Sequence, residues 1–347
     1  MPTVAYISNA DSHDIVAVML DHETGAAQVI QRVDVGGTVM PLALGPDKRS
    51  LHAAIRSEPF NVQSFAIDAD TGLLQRTGTA PLPDSMAYAT VDRTGRWLVA
   101  ASYPGHLISV SAIENGAVVR EPSAVIATGK NAHAAVIDAS NRFVFVTNLG
   151  SDQVLQFRFD AATGRLTPND PPAFKTRAGA GPRHLVLHPN ARHAYLLHEL
   201  DATVDLLAFD DLRGTLTLMD TWPTMPPGTA AKPWAADLHL TANGKFLYTC
   251  ERNTSTIAIW KVDATSGELT LVGQQPTEQQ PRGFNIDPTG TWLLAVGQAS
   301  GQLTVYRIDR ATGLLEATTR LAVGRNPNWV TEPLPISMPP APARSAA

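Results

Sequence analysis

The chain alternates between short apolar runs and short polar turns, and the alternation is periodic. Six polar turns recur: "GPDKR" (45–49), "DRTGR" (92–96), "DASNR" (138–142), "HPNAR" (188–192), "TANGK" (241–245) and "DPTGT" (287–291). Their last residues, Arg49, Arg96, Arg142, Arg192, Lys245 and Thr291, are spaced by 47, 46, 50, 53 and 46 positions. Each turn is followed by an apolar run of strand length: "SLHAAI", "WLVAAS", "FVFVTN", "HAYLLH", "FLYTCE", "WLLAVG". A second run follows a short polar gap, as in "VLQFRFD" and "TIAIWKVD", and a Gly-containing turn such as "DAATGRL" comes next. Runs this short, rich in Val, Ile, Leu and aromatics and bounded by turn residues, predict strands rather than helices. One more strand before each polar turn makes four per unit.

Four strands repeating at this interval are the pattern of a β-propeller blade. Six blades are complete. A seventh is assembled from both ends of the chain: "TVAYIS" (3–8) and "IVAVML" (15–20) supply its middle strands, "TGAAQVIQ" its turn and outer strand, and "NWVTEPL" (328–334) its inner strand. The predicted fold class is therefore all-β: a seven-bladed β-propeller with four antiparallel strands per blade. The ring closes by pairing the C-terminal inner strand with the N-terminal strands. Closure removes exposed strand edges and makes residues 1–334 one domain, although length alone suggests two. The Pro- and Ala-rich end, "PISMPPAPARSAA" (335–347), predicts a disordered tail with nothing to pack.

Repeats allow equivalent positions to be compared. In a propeller the inner strands line a central channel. The loops leading into them share one face with the loops joining second and third strands. Nine residues before each turn-ending residue stand Met40, Ala87, His133, Arg183, Ala236 and Arg282, and in the seventh blade Asn328. Seven residues after it stand Arg56, Tyr103, Leu149, Glu199, Arg252 and Gln298. His133, Arg183, Arg282 and Glu199 should thus face one another at the channel mouth, with Arg56 and Arg252 farther out and Trp234 and Asp237 adjoining. Converging arginines suit a small carboxylate or phosphate ligand.

Composition narrows the partners. Lys+Arg 27 against Asp+Glu 32 gives a net charge of −5, which argues against nucleic acid or an anionic membrane as partner. No apolar run approaches the roughly 20 residues of a membrane span, and "MPTVAYISNA" lacks the pattern of a signal peptide. With Cys250 the single cysteine, no internal disulfide can form, and a cytoplasmic setting is expected. Cys250 itself ends an apolar run and should be a buried, inert thiol. His184, His188 and His193 should disperse over one blade, His184 serving structure, and His239 should be a core or strand-paired histidine. No Gly-rich phosphate loop, paired-Cys motif or Ser-centred elbow is present. No metal or cofactor is expected. Nothing fixes the oligomeric state, with a monomer or a weak dimer both open.

Three stretches carry a family resemblance: "GAGPRHLVLHPN", "PWAADLHLTANGKFLYTCERNTSTIAIW" and "QPTEQQPRGFNIDPTG". They resemble the β-propeller type of 6-phosphogluconolactonase, in the lactonase family that also includes propeller muconate-lactonizing enzymes. The likeness runs from "VAYISN" to "AVGRNPNWV". It implies a seven-bladed propeller and metal-independent hydrolysis of 6-phospho-D-glucono-1,5-lactone to 6-phosphogluconate in the pentose phosphate pathway. The muconate-lactonizing relatives use one His, two Arg and one Glu, which fall by motif on His133, Arg183, Arg282 and Glu199. The resemblance thus implies His133 or Glu199 as general base. His133 is favoured for its ordinary pKa near neutrality. Arg183 would polarise the lactone carbonyl, and Arg282 would hold the substrate anion with help from Arg252 or Arg56. Asp237 and Trp234 would contact substrate. The alternatives are another sugar lactonase or a muconate-type lactonizing enzyme on this scaffold, or a non-catalytic binding propeller.

Overall fold

The computed structural model describes residues 2–337, and these form seven sheets in a ring, five of four strands and two with a fifth short strand. Blade 1 comprises Val39–Leu44, Ser50–Ile55, Asn61–Ile67 and Leu74–Pro81. Blades 3 to 6 repeat that order, from inner strands Ala132–Ile137, Pro182–Leu187, Ala235–Leu240 and Pro281–Ile286. Every blade is antiparallel throughout. Blade 2 departs at its outer edge. There "ENGAVVREPSAVIA" breaks into two short strands, Ala117–Val118 and Ala124–Ala127, both paired with Leu107–Glu114. Pro122 between them has no N–H to give to a ladder.

Blade 7 is built from both chain ends. Pro327–Val330 pairs with Thr3–Asn9, which pairs with Asp14–Leu20 and onward to Ala27–Asp34. The closure extends slightly past the predicted boundary. Leu334–Pro335 pairs with Thr3 and Val4, and Ile336 is buried in the cluster between blades 7 and 1. The start of the Pro-rich end therefore does pack, which corrects the expectation for 335 and 336. The expectation for residues 338–347 lies outside the described residues.

The core is distributed rather than central. Seven apolar clusters lie among the described residues, each between two neighbouring blades, for example Val4, Tyr6, Leu51 and Phe65 between blades 7 and 1. Each sheet is thus apolar on both faces, which explains the continuous apolar runs of the second strands. Directional contacts fix each blade against the next. The hydroxyls of Tyr6, Tyr195 and Tyr248 each donate to the carbonyl of a turn glycine one blade on: Gly72, Gly267 and Gly313, at 2.7–2.8 Å. These glycines adopt positive φ at the outer turns. A Cβ at Gly313 would also strike Phe246, so glycine is required there twice over.

Candidate active site

The inner strands share one irregularity, and it places the site. In each blade the pairing register slips at one point: Val39/Leu42, Met86/Tyr88, Ala132/Ala134, Pro182/His184, Ala235/Leu238 and Pro281/Gly283. In blade 7 the slip lies opposite Asn328. The residues skipped include Met40, Ala87, His133, Arg183, Ala236 and Arg282. The slot found by counting nine residues back is therefore a β-bulge. A bulge bends its strand and re-aims one side chain, here toward the channel mouth.

The bulge in blade 4 is held from outside. Thr147 of blade 3 donates to the Arg183 carbonyl at 2.7 Å. The loop "GAG" before it has Gly179 and Gly181 at positive φ, and both of their N–H groups donate to the Asp152 carboxylate. Gly181 returns a carbonyl to the Glu199 N–H at 2.8 Å, which fixes the second slot against the first.

The bulges surround a cleft with about 240 Å³ of free space, lined by Arg56, Ala87, Tyr103, His133, Glu199, Trp234, Arg252 and Arg282. That volume lies just below the usual range of ligand clefts, roughly 300–1,000 Å³. Seven of these eight residues occupy the two slots. Trp234 stands beside them with its ring under the Arg252 guanidinium, 3.9 Å from ring centre to guanidinium carbon.

The four arginines fall into two pairs. Glu199 Oε2 accepts from Arg183 Nε and from Arg252 Nη2, each at 2.8 Å. These two arginines hold the Glu199 carboxyl below its ordinary pKa even though burial pushes it upward. Arg56 and Arg282 have no carboxylate within ion-pair distance among the described residues. Arg56 Nη1 and Arg282 Nη2 instead converge on one thioether, Met40 Sδ, at 3.2 and 3.1 Å. Arg56 Nε also donates to the Ser85 hydroxyl. Burial and the charges of Arg183, Arg252 and Arg56 act against the Arg282 cation. A guanidinium does not lose its proton in a protein, so the cleft carries a concentrated positive charge.

His133 is buried at the cleft wall, edge-on to Tyr103 with ring centres 5.9 Å apart, and its Nδ1 has no hydrogen-bond partner among the described residues. Burial first, then Arg183, His184, Arg282 and Arg252, push its pKa well below the ordinary histidine value. The expectation of a near-neutral pKa is thus overturned, and the ring is an uncharged imidazole at pH 7.

Three further expectations change. Arg252 does not stand farther out than the others. It is buried, with Nε and Nη2 also donating to the carbonyls of Trp234 and Ala235 at 3.0 Å. Arg183 lies beneath the cleft rather than in its wall: it is 1 % exposed, and its Nη1 is taken up by the Ala236 carbonyl and His184. Asp237 faces away from the cleft into a second cavity of about 310 Å³ in the far half of the channel, with His184, His239 and Tyr88. His184 points into the channel, not away from it. Its ring packs edge-on against His133, Tyr88 and Trp329 at 5.1, 5.5 and 6.2 Å and separates the two cavities. His239, half-buried, bonds Asp237 and packs on Phe284. His188 and His193 pack together at the blade 4 turn. The Cys250 thiol is buried as expected, and burial pushes its pKa up to about 12. Tyr103 was missed as a lining residue, although its place in the second slot carried the signal.

Fold and site together define a seven-bladed propeller with an arginine-lined cleft at one end of its channel. Residues 3–332 match the family described as lactonase, 7-bladed beta-propeller, and the chain belongs to that family. A 6-phosphogluconolactonase of Serratia proteamaculans is 40% identical over 331 residues, covering 95% of this chain and 99% of the relative. One from Pectobacterium carotovorum is 41% identical over 331 residues, with 95% and 98% covered. Among solved structures, the periplasmic gluconolactonase of Pseudomonas aeruginosa superposes with a TM-score of 0.89 at 25% identity, covering 97% of this chain and all of that one.

Proposed function

We propose that this protein hydrolyses 6-phospho-D-glucono-1,5-lactone to 6-phosphogluconate, the lactone-opening step of the pentose phosphate pathway. The observation that carries the substrate is the unmatched pair Arg56 and Arg282. Two guanidiniums whose shared partner is a thioether suit a phosphate, which accepts bidentate bonds from each. The names of the 40–41% identical relatives support the same reading. With the phosphate at this pair, the lactone ring extends toward His133, Glu199 and Arg252.

A δ-lactone is an activated ester that opens slowly in water unaided, so a weak base suffices. Neutral His133 takes a proton from water as the oxygen attacks C1. The tetrahedral oxyanion is met by Arg252, whose Nη1 is left over for a ligand among the described contacts. Collapse breaks the bond from C1 to the ring oxygen, and the His133 proton passes to the departing alkoxide. Glu199 orients the water and keeps Arg252 in place. The substrate assists its own reaction. Arg282 is one of the charges that depress His133, so a phosphate laid on it raises the basicity of the ring. A positioned base contributes roughly 10²–10⁴-fold, and each oxyanion donor about 10²–10³-fold.

A phosphorylated lactone does not cross membranes, which favours the cytoplasm as the place of action. The second reading is turnover of unphosphorylated gluconolactone, the activity named for the Pseudomonas relative. The test is the rate of lactone loss above the spontaneous rate, measured on both lactones at several enzyme concentrations. The phosphorylated lactone should be turned over with a kcat/KM at least about tenfold higher, the worth of one charge-assisted hydrogen bond. Equal kcat/KM for the two would favour the second reading, and no acceleration of either would defeat both.

A further inference from the structure

The buried arginine beneath the cleft is held on its far side by a pair of groups that do not line the cleft. Arg183 Nη1 faces His184 Nε2 at 3.2 Å, and His184 Nδ1 faces Asp237 Oδ1 at 2.7 Å. A guanidinium can only donate, so His184 Nε2 must accept. A neutral imidazole has one N–H, which therefore sits on Nδ1 and donates to Asp237. Burial and Arg183 lower the pKa of His184 to about 4, in keeping with a neutral ring. Asp237 is anchored in turn by the Leu238 N–H at 3.0 Å and by His239 Nε2 at 3.2 Å. The chain of contacts thus runs from the far cavity through Asp237, His184 and Arg183 to Glu199 Oε2 in the cleft wall.

We infer that Asp237 and His184 are positioning residues for the lactonase reaction: Asp237 selects the His184 tautomer whose Nε2 accepts from Arg183, and Arg183 so oriented aims the Glu199 carboxylate into the cleft. This rests on the hydrolytic function proposed above. Without Asp237 the imidazole is free to carry its proton on Nε2. That N–H would point at a cation, Arg183 would turn, and Glu199 would lose one of its two fixed donors. The phosphate end of the cleft, Arg56 and Arg282, is not part of this chain.

Three variants test it on 6-phosphogluconolactone beside wild type: Asp237→Asn, His184→Leu and His184→Gln. Asp237→Asn keeps the His184 ring packed on His133 and removes only the charge that fixes the tautomer. His184→Leu removes the acceptor. His184→Gln restores an acceptor for Arg183 and a donor for Asp237 on one amide. The first two should lose kcat on the order of 10–100-fold, as when a supporting hydrogen-bond partner of an active group is lost. KM should stay within about twofold, and His184→Gln should recover most of the lost rate. The inference is overturned if Asp237→Asn retains wild-type kcat, if His184→Gln is as slow as His184→Leu, or if KM rises together with the fall in kcat. Inactive wild type would instead count against the proposed function itself.

Discussion

Two halves of one cleft use the same side chain to opposite ends. At Glu199, Arg183 and Arg252 are buried, share one carboxylate oxygen and carry further hydrogen bonds to backbone carbonyls. At Met40, Arg56 and Arg282 are half-buried and share a thioether. The first pair shares a carboxylate and, under the proposed function, holds the reacting groups in one geometry. The second has no carboxylate partner among the described residues and, under the same proposal, binds the phosphate. Counting arginines around a channel does not separate these roles. Counting their partners does.

The largest effect should come from the Glu199 half. His133→Ala is expected to lower kcat by about 10²–10⁴-fold with KM little changed, read from initial rates corrected for spontaneous opening. An unchanged kcat would remove His133 from the chemistry. Next in size, Arg282→Gln should raise KM for the phosphorylated lactone by roughly 10–100-fold, the worth of charge-assisted hydrogen bonds lost, with kcat nearly kept. A matching fall in kcat would mean that the two halves are not separate.

Smaller effects lie in stability. Inorganic phosphate at about ten times its dissociation constant should raise the unfolding midpoint of wild type by about 1–3 °C through mass action. An Arg56→Gln/Arg282→Gln double variant should show no such rise, and an equal rise would place the anion elsewhere. Acid should weaken the fold. His184 and His52 have pKa values lowered to about 4, and His133 lies well below its ordinary 6.5. Between about pH 4 and 6.5 the unfolded chain binds more protons than the folded one, so stability rises with pH in that window and falls as pH drops from 7 to 5. The depressed carboxyls of Glu199 and Asp237 lose their contribution only at lower pH. Unfolding by denaturant at pH 7 and pH 5 reads the sign, and a flat profile would show that these rings titrate normally.

Much of this was legible in the sequence because a propeller repeats. The second strands coincide with the apolar runs "SLHAAI" through "WLLAVG". The slot nine residues back falls within the bulge in blades 1 to 6, since a bulge at a fixed place in every blade preserves the count. Spacing could not say which way an individual side chain turns once the bulge has re-aimed it. Arg183 and Arg282 share a slot, yet one lies under the cleft and the other in its wall. Blade 5 is the reason: its slot residue Ala236 and the neighbouring Glu199 offer Arg183 acceptors, whereas Arg282 meets only Met40 across the ring. Asp237 and His184 were misplaced for the same cause, as residues beside a bulge whose partners lie one blade away. His133 lines the cleft as expected but does not keep its ordinary pKa, because burial and the sum of nearby charges are properties of the assembled ring. The packing of Ile336 was hidden by composition, in a stretch where prolines outweigh one buried side chain.

The division of the cleft is tested most directly by substrate preference. The ratio of kcat/KM for 6-phosphogluconolactone to that for gluconolactone should be measured in wild type and in the Arg56→Gln/Arg282→Gln variant. The ratio should collapse toward one in the variant while turnover of the unphosphorylated lactone stays within about twofold of wild type. A ratio that survives the loss of both arginines, or a variant that loses both activities alike, would contradict a cleft divided into a reacting half and a binding half.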